Sequence, residues 1–218
     1  MSMHKFDLDT TYFIGDTHFQ HNNIIKSTRA DNNHKCRPFG SIQEHDEAII
    51  NNWNATVSKS DTVVHLGDVM WSLDREDWNL FDRLNGKKYL IVGNHDLDDG
   101  GKKSMYNMGK HFHRVNHMRT IPIEYNNKRY CLRVTHVPMH EYEFCFKPNS
   151  FCVHGHIHEK NIPNPRYINV SCENIGYRPI LLREIMDEIV RRETEFPEEF
   201  FQIMKIEDGY DSKFVLRT

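Results

Sequence analysis

Fifteen histidines stand in a chain of 218 residues, far above ordinary usage, and several of them follow short apolar runs beside other ligand-type side chains. Asp16-Thr17-His18 follows residues 11–14, Asp68 follows 62–66, and Asn94-His95-Asp96 follows 89–92. Thr135-His136 and His154-Gly155-His156-Ile157-His158 close two later runs. Carboxylate, imidazole and amide together suit divalent metals of intermediate hardness such as Mn, Fe, Zn or Ni. No cysteine falls in the cluster, which argues against a structural thiolate zinc site. Asp16 and His18 alternate, as do His156 and His158, so each pair can project to one side. Glycines at 15, 67, 93 and 155 permit tight turns and close backbone approach. Two metals ~3.5–4 Å apart need a bridging carboxylate, and can clamp a phosphoryl group while activating a shared hydroxide. Asp68, alone on its strand, suits that bridge. An imidazole near neutrality, such as that of His95, is a suitable general acid for a departing alkoxide.

The elements that must position these residues are legible as periodicities. Thr11-Tyr12-Phe13-Ile14 and Thr62-Val63-Val64-His65-Leu66 are strands ending in Gly-Asp, and Tyr89-Leu90-Ile91-Val92 is a strand ending in Gly93. Ser41 followed by Glu44 predicts a capping box, and Ile42, Ile49, Ile50 and Trp53 predict a helix over 42–54. Leu73, Leu80, Phe81 and Leu84 predict a second helix over 74–85, with Gly86 as its stop. Segments 119–125 and 128–135 alternate around Asn126-Asn127-Lys128, a hairpin signature. Short strands are expected at 150–153 and 166–170. Leu181, Leu182, Ile185, Met186, Ile189 and Val190 form a core-facing helical stripe. Residues 98–104 are expected to be a mobile loop, with Lys102-Lys103 solvated, and the tail from Phe196 carries little signal. Strands alternating with helices give an α/β layered fold, in which ligands sit outside the carboxyl ends of the strands.

Composition narrows the classes. The length suits a single domain, 1–218, at roughly 100–200 residues per domain. Lys+Arg 28 against Asp+Glu 31 gives a net charge of −3, which argues against an extended nucleic-acid surface. No apolar run approaches the ~18 residues of a membrane span, and Met1 to Asp7 has no apolar core of a secretory signal. Five scattered cysteines (Cys36, Cys131, Cys145, Cys152, Cys172) with no CxxC pair suggest reduced thiols and a cytoplasmic protein. Nothing indicates an obligate protein partner.

Gly15-Asp16-x-His18, Gly67-Asp68, Gly93-Asn94-His95-Asp96, His136 and Gly155-His156-x-His158 together resemble the motif series of the calcineurin-like metallophosphoesterases, in order and in spacing. The series spans two thirds of the chain. Segments 16–25, 37–39 and 51–54 further resemble a small single-domain subgroup of bacteria and phages. The resemblance implies a four-layer α/β/β/α sandwich with two mixed sheets. It implies that Asp16, His18 and His158 hold a first divalent ion, Asn94, His136 and His156 a second, and that Asp68 bridges them. His95 would stay unligated, orient the phosphate and protonate the leaving oxygen, after in-line attack by a metal-bridging hydroxide. The substrate class implied is a small-molecule phosphate ester.

One departure redirects the expectation. Protein serine/threonine phosphatases extend the second motif to Gly-Asp-x-x-Asp-Arg-Gly, whereas this chain has Gly67-Asp68-Val69-Met70-Trp71-Ser72. Phosphodiesters or small organic phosphates, nucleotides among them, are therefore favoured over phosphoproteins. A protein or general phosphomonoesterase remains the alternative, and a catalytically silent binding module on this fold is a weaker one. Trp71 can wall the pocket and stack on a planar group. His21 either contacts substrate or a metal ligand, or is merely exposed. Arg37, in the polar segment 32–39, either closes a guanidinium fork over a phosphate or is solvated. Asp96 either caps the turn backbone or orients a histidine. His65 is expected in the core, and His111, His113, His117, His140 and His154 are expected to be structural or exposed.

Overall fold

The apolar runs assemble into two sheets in the computed structural model, which describes residues 6–26, 37–72, 74, 76–97, 102–145, 147 and 149–197. The first sheet contains β1 (Thr11–Ile14), β2 (Thr62–His65), β3 (Lys87–Ile91), β4 (Arg114–Asn116) and β9 (Ile180–Leu181), in the order β4-β3-β2-β1-β9. Its strands run parallel except for β9 against β1. The second contains β5 (Met118–Tyr125), β6 (Lys128–Thr135), β7 (Ser150–His154) and β8 (Tyr167–Asn169), in that order. Only the β5–β6 pair is antiparallel. Both sheets are thus mixed, as the layered reading requires. The β5–β6 hairpin turns on Asn126 and Asn127, with φ of 49° and 60°, the positive pair that a two-residue type I′ turn demands.

Alternation along the strands decides what each face buries. Ile121, Ile123, Tyr130, Leu132 and Val134 of the hairpin meet Phe13, Val64, Tyr89 and Ile91 of the first sheet in one core. Helix α3 (Leu182–Glu195) adds Leu182, Ile185, Met186 and Ile189 to it, each worth roughly 1.5–3 kcal/mol on full burial. The other face of the first sheet presents Ile14, Val63 and Leu90. Against these pack Ile49, Ile50 and Trp53 of α1 (Ile42–Thr56), Trp78 and Phe81 of the 3-10 helix Asp77–Arg83, and Met108 of α2 (Lys102–His111). Phe144 and Cys145 cover Cys152 and Tyr167 on the second sheet. Among the described residues no helix is long and apolar enough to cross a membrane.

Local corrections follow from local physics. Ser41 caps α1 by accepting the Glu44 N–H, but Glu44 accepts in return from Gly40 rather than from Ser41, one residue outside the capping box. The segment read as a helix over 74–85 is helical only at Asp77–Arg83 and is 3-10. Its buried Trp78 and Phe81 lie three apart, the 3-10 repeat, while Leu80 is half-buried and Leu73 lies outside the described residues. Of the expected loop 98–104, residues 98–101 lie outside the described residues and 102–104 already belong to α2.

The strand ends are tied to one another past the ladders. After β1 and β2 the His18 N–H donates to the Asp68 carbonyl and the Phe19 N–H to that of Val69, and the Trp71 N–H returns a bond to the Phe19 carbonyl. The Gly15 N–H donates to the Val170 carbonyl and the Cys172 N–H to that of Gly15. The segments after β2 and β8 are thereby both fixed against the one that follows β1.

Candidate metal centre

Two clusters of ligand atoms form where these segments converge. One ligand atom each from Asp16, His18 and His158 lie within 4.8 Å of one another, and the same holds for Asp68, His136 and His156. Asn94 joins the second cluster, its Oδ1 lying 2.9 Å from His136 Nε2. The two carboxylate oxygens of Asp68 divide between the clusters, Oδ2 at 3.5 Å from His18 Nε2 and Oδ1 at 3.4 Å from His136 Nε2. All seven residues that the resemblance implies as ligands therefore meet at one place.

The backbone is strained to bring them there. Asp16, His18, Asp68, His156 and His158 all have positive φ, between 46° and 70°, a region that non-glycine residues seldom occupy and that concentrates at functional sites. Two of the glycines are required by close approach. A Cβ on Gly155 would stand 2.4 Å from Asp16 Oδ2, and one on Gly93 would stand 2.3 Å from Asp68 Oδ1. The His156 N–H donates to the Asp16 carboxylate and the His95 N–H to Asp68 Oδ1.

The electrostatics suit a cation. Burial raises the Asp16 carboxyl to about 6, against the pull of His136 and His158. Burial also keeps His18 well below its ordinary value, helped by Arg37, and neither ring nitrogen of His18 has a hydrogen-bond partner among the described residues. His136 Nδ1–H donates to the Leu66 carbonyl, which turns Nε2 toward the oxygens of Asp68 and Asn94. Burial opposes a charged ring there, but the Asp68 and Asp16 carboxylates outweigh it and hold His136 up at about 9. The unpartnered nitrogens of buried His18, and His136 Nε2 turned toward carboxylate and amide oxygens, match the donor set of an intermediate-hardness divalent ion.

Glu173, a residue that sequence reasoning missed, supports this arrangement. His158 Nδ1 donates to Glu173 Oε1, leaving Nε2 free on the cluster side, the carboxylate–histidine pattern that orients metal ligands. The same oxygen accepts from Arg37 Nε. Burial works against the charge of Glu173, yet His158 and Arg37 hold its carboxyl down at about 2. Arg37 itself corrects the expectation of a phosphate fork or a solvated side chain. It is 0% exposed, and its guanidinium also donates to the carbonyls of Asp16 and Thr17 and to His45 Nε2. His45 passes the chain on to Asp46. A lone Glu within Cys172-Glu173-Asn174 carries no sequence signal, because its partners lie 15 and 136 residues away.

Asp96 resolves toward the backbone role: its carboxylate accepts from the N–H groups of Asp68, Val69 and Gly93. His65 is a core residue, its Nε2–H donating to Thr17 Oγ1, which donates in turn to the Val69 carbonyl. His154 is buried and donates from Nδ1 to the Gly155 carbonyl; His111 is half-buried, and His113, His117 and His140 are exposed.

The rim is aromatic. His95 is exposed, with ring centroids 5.7 Å from His18 and 5.3 Å from Trp71. Trp71, 49% exposed, stacks on His21 at 3.8 Å and 7°, and His21 lies 5.3 Å from His18. Burial, with His95 nearby, pushes His21 down to about 4.

The chain is 35% identical over 191 residues to an uncharacterised protein of Methanocaldococcus jannaschii, covering 84% of this chain and 89% of that one. It is 27% identical over 92 residues to the gene 66 protein of Mycobacterium phage L5, covering 41% of each. A solved protein of unknown function from Aquifex aeolicus superposes with a TM-score of 0.59 at 28% identity, over 81% of this chain and 97% of that one. The sequence model of the calcineurin-like phosphoesterases matches residues 10–201, and the chain belongs to that family.

Proposed function

We infer that the protein is a dinuclear metal-dependent phosphoesterase acting on phosphodiesters or small organic phosphates, with nucleotides the favoured class. The observation that carries the reading is Asp68, whose two oxygens face different ligand clusters. Asp16, His18 and His158 would hold one ion, and Asn94, His136 and His156 the other, with Asp68 shared. Divalent ions held there supply electrophilic charge for a phosphoryl group and a water acidic enough to act as nucleophile near neutral pH. The protein's own part is positioning and electrostatics. Glu173 fixes the ring of His158, the Asp96 carboxylate fixes the turns carrying Asp68 and Gly93, and His95 stands unencumbered at the rim to protonate the leaving oxygen. The stacked Trp71 and His21 offer a flat surface to a base or other planar group.

Turnover of aryl and alkyl phosphomonoesters and diesters, with Mn and after chelation, tests the reading. Chelation should abolish hydrolysis and Mn should restore it. His95→Asn should keep its metal and lose about 10²–10⁴-fold in kcat, most for alkyl esters, whose leaving groups need the proton. Metal-independent hydrolysis, or loss of metal from His95→Asn, would overturn these assignments.

A further inference from the structure

A cavity of about 350 Å³ opens beside the second ligand cluster, where Asn94 and His136 form part of its wall. The rest is largely apolar: Val92 and Leu97 come from the segment after β3, Val137 from the segment after β6, and His117 from the joint between β4 and β5. It therefore sits where the edges of the two sheets meet. Single exposed apolar side chains are ordinary, but here Leu97 and Val137, each 50% exposed, face one cavity. The volume falls within the range of small-molecule sites, which pair apolar walls with a few polar groups. Among the described lining residues there is no Lys, Arg, Asp or Glu, so outside the His136 ligand none of them brings a fixed charge to a second phosphate or a carboxylate. The cavity is also separate from the aromatic rim, since neither Trp71 nor His21 lines it.

Resting on the phosphoesterase reading above, we propose that this cavity is a subsite for an uncharged apolar arm of the phosphate ester. Its continuity with Asn94 and His136 commits it to that occupant, because a group lodged there is attached to a phosphoryl held at the ligand clusters. The rim at Trp71 and His21 remains available to a second, planar arm. The subsite thus favours esters carrying a neutral hydrophobic substituent and disfavours arms bearing further charge.

Calorimetric binding of phenylphosphonate and methylphosphonate to the Mn-loaded protein tests this without turnover. Phenylphosphonate should bind at least about tenfold more tightly, as removal of a ring from water requires. In the near-isosteric double variant Leu97→Asn/Val137→Thr the advantage should collapse, while Mn content and methylphosphonate affinity report on the intact centre. Trp71→Ala should keep the advantage. Equal affinities in the unaltered protein would overturn the subsite and leave the metal centre standing. So would an advantage that survives the double variant but disappears in Trp71→Ala, which would move the arm to the rim. Failure of both phosphonates to bind the Mn-loaded protein would overturn the phosphoesterase reading and this subsite with it.

Discussion

A guanidinium is taken out of water at a loss unless its donors find acceptors, and Arg37 directs four of its five N–H groups to Glu173, His45 and two backbone carbonyls. Its position makes it a support beneath the ligand loop, so its removal should be felt in stability before substrate affinity. Arg37→Ala leaves the buried Glu173 carboxylate without its guanidinium partner, with His158 still bonded to it, and should destabilise the protein by about 3 kcal/mol, read as a lowered denaturation midpoint. An unchanged midpoint with a raised KM would return Arg37 to the substrate side. Glu173→Ala removes the acceptor that orients His158 and should weaken metal binding about 10–100-fold, measured by competition with a chelator. Residues such as these were not legible in the sequence, since a polar segment looks alike whether solvated or folded under. The ligands were legible because they stand at strand ends in an ordered motif series that resembles a known family's, with Asp16/His18 and His156/His158 alternating, and Asp96 was legible as a turn residue but not in its choice of partners.

At the scale of elements, the strands and the helix stripes of α1 and α3 were readable because burial of one face imposes a period. Helix α2 was not, since its sequence is polar and begins beside Gly100-Gly101. The 3-10 helix Asp77–Arg83 was read as α-helix because Leu80, Phe81 and Leu84 fit a 3.6 stripe, whereas Trp78 and Phe81 do the burying. The turn after β7 yields a sharper test. Gly155→Ala places a methyl group 2.4 Å from Asp16 Oδ2, so the carboxylate or the turn must shift. The variant should retain its fold by circular dichroism and bind metal at least about tenfold more weakly, comparable to loss of an orienting partner. Unaltered metal affinity would show that Asp16 has more freedom than its packing allows.

At the scale of the whole molecule, folding keeps several histidines neutral. Burial holds His65 down at about 3 and His154 at about 4, and it keeps His18 well below the ordinary range. Between about pH 6.5 and 4 the unfolded chain binds these protons and the folded protein does not, so stability falls as pH falls. Asp16, raised to about 6, and Asp96, also raised by burial, act in the opposite sense over part of that window, but they are outnumbered, since burial lowers His21, His45 and His156 as well. Metal-free protein should therefore lose stability on acidification from pH 6.5 to 4.5. His65→Gln should reduce the slope by up to about 1.4 kcal/mol per pH unit, measured by denaturant titration, and an unchanged slope would contradict a neutral buried His65. The two sheets converge on a centre built around Asp68, and the number of ions it holds tests that claim most directly. Protein saturated with Mn and freed of excess should contain two ions per chain by elemental analysis, with Asp68→Asn losing more affinity than Asp16→Asn because only Asp68 faces both clusters. A single bound ion at saturation, or equal and small losses in the two variants, would contradict a bridged pair.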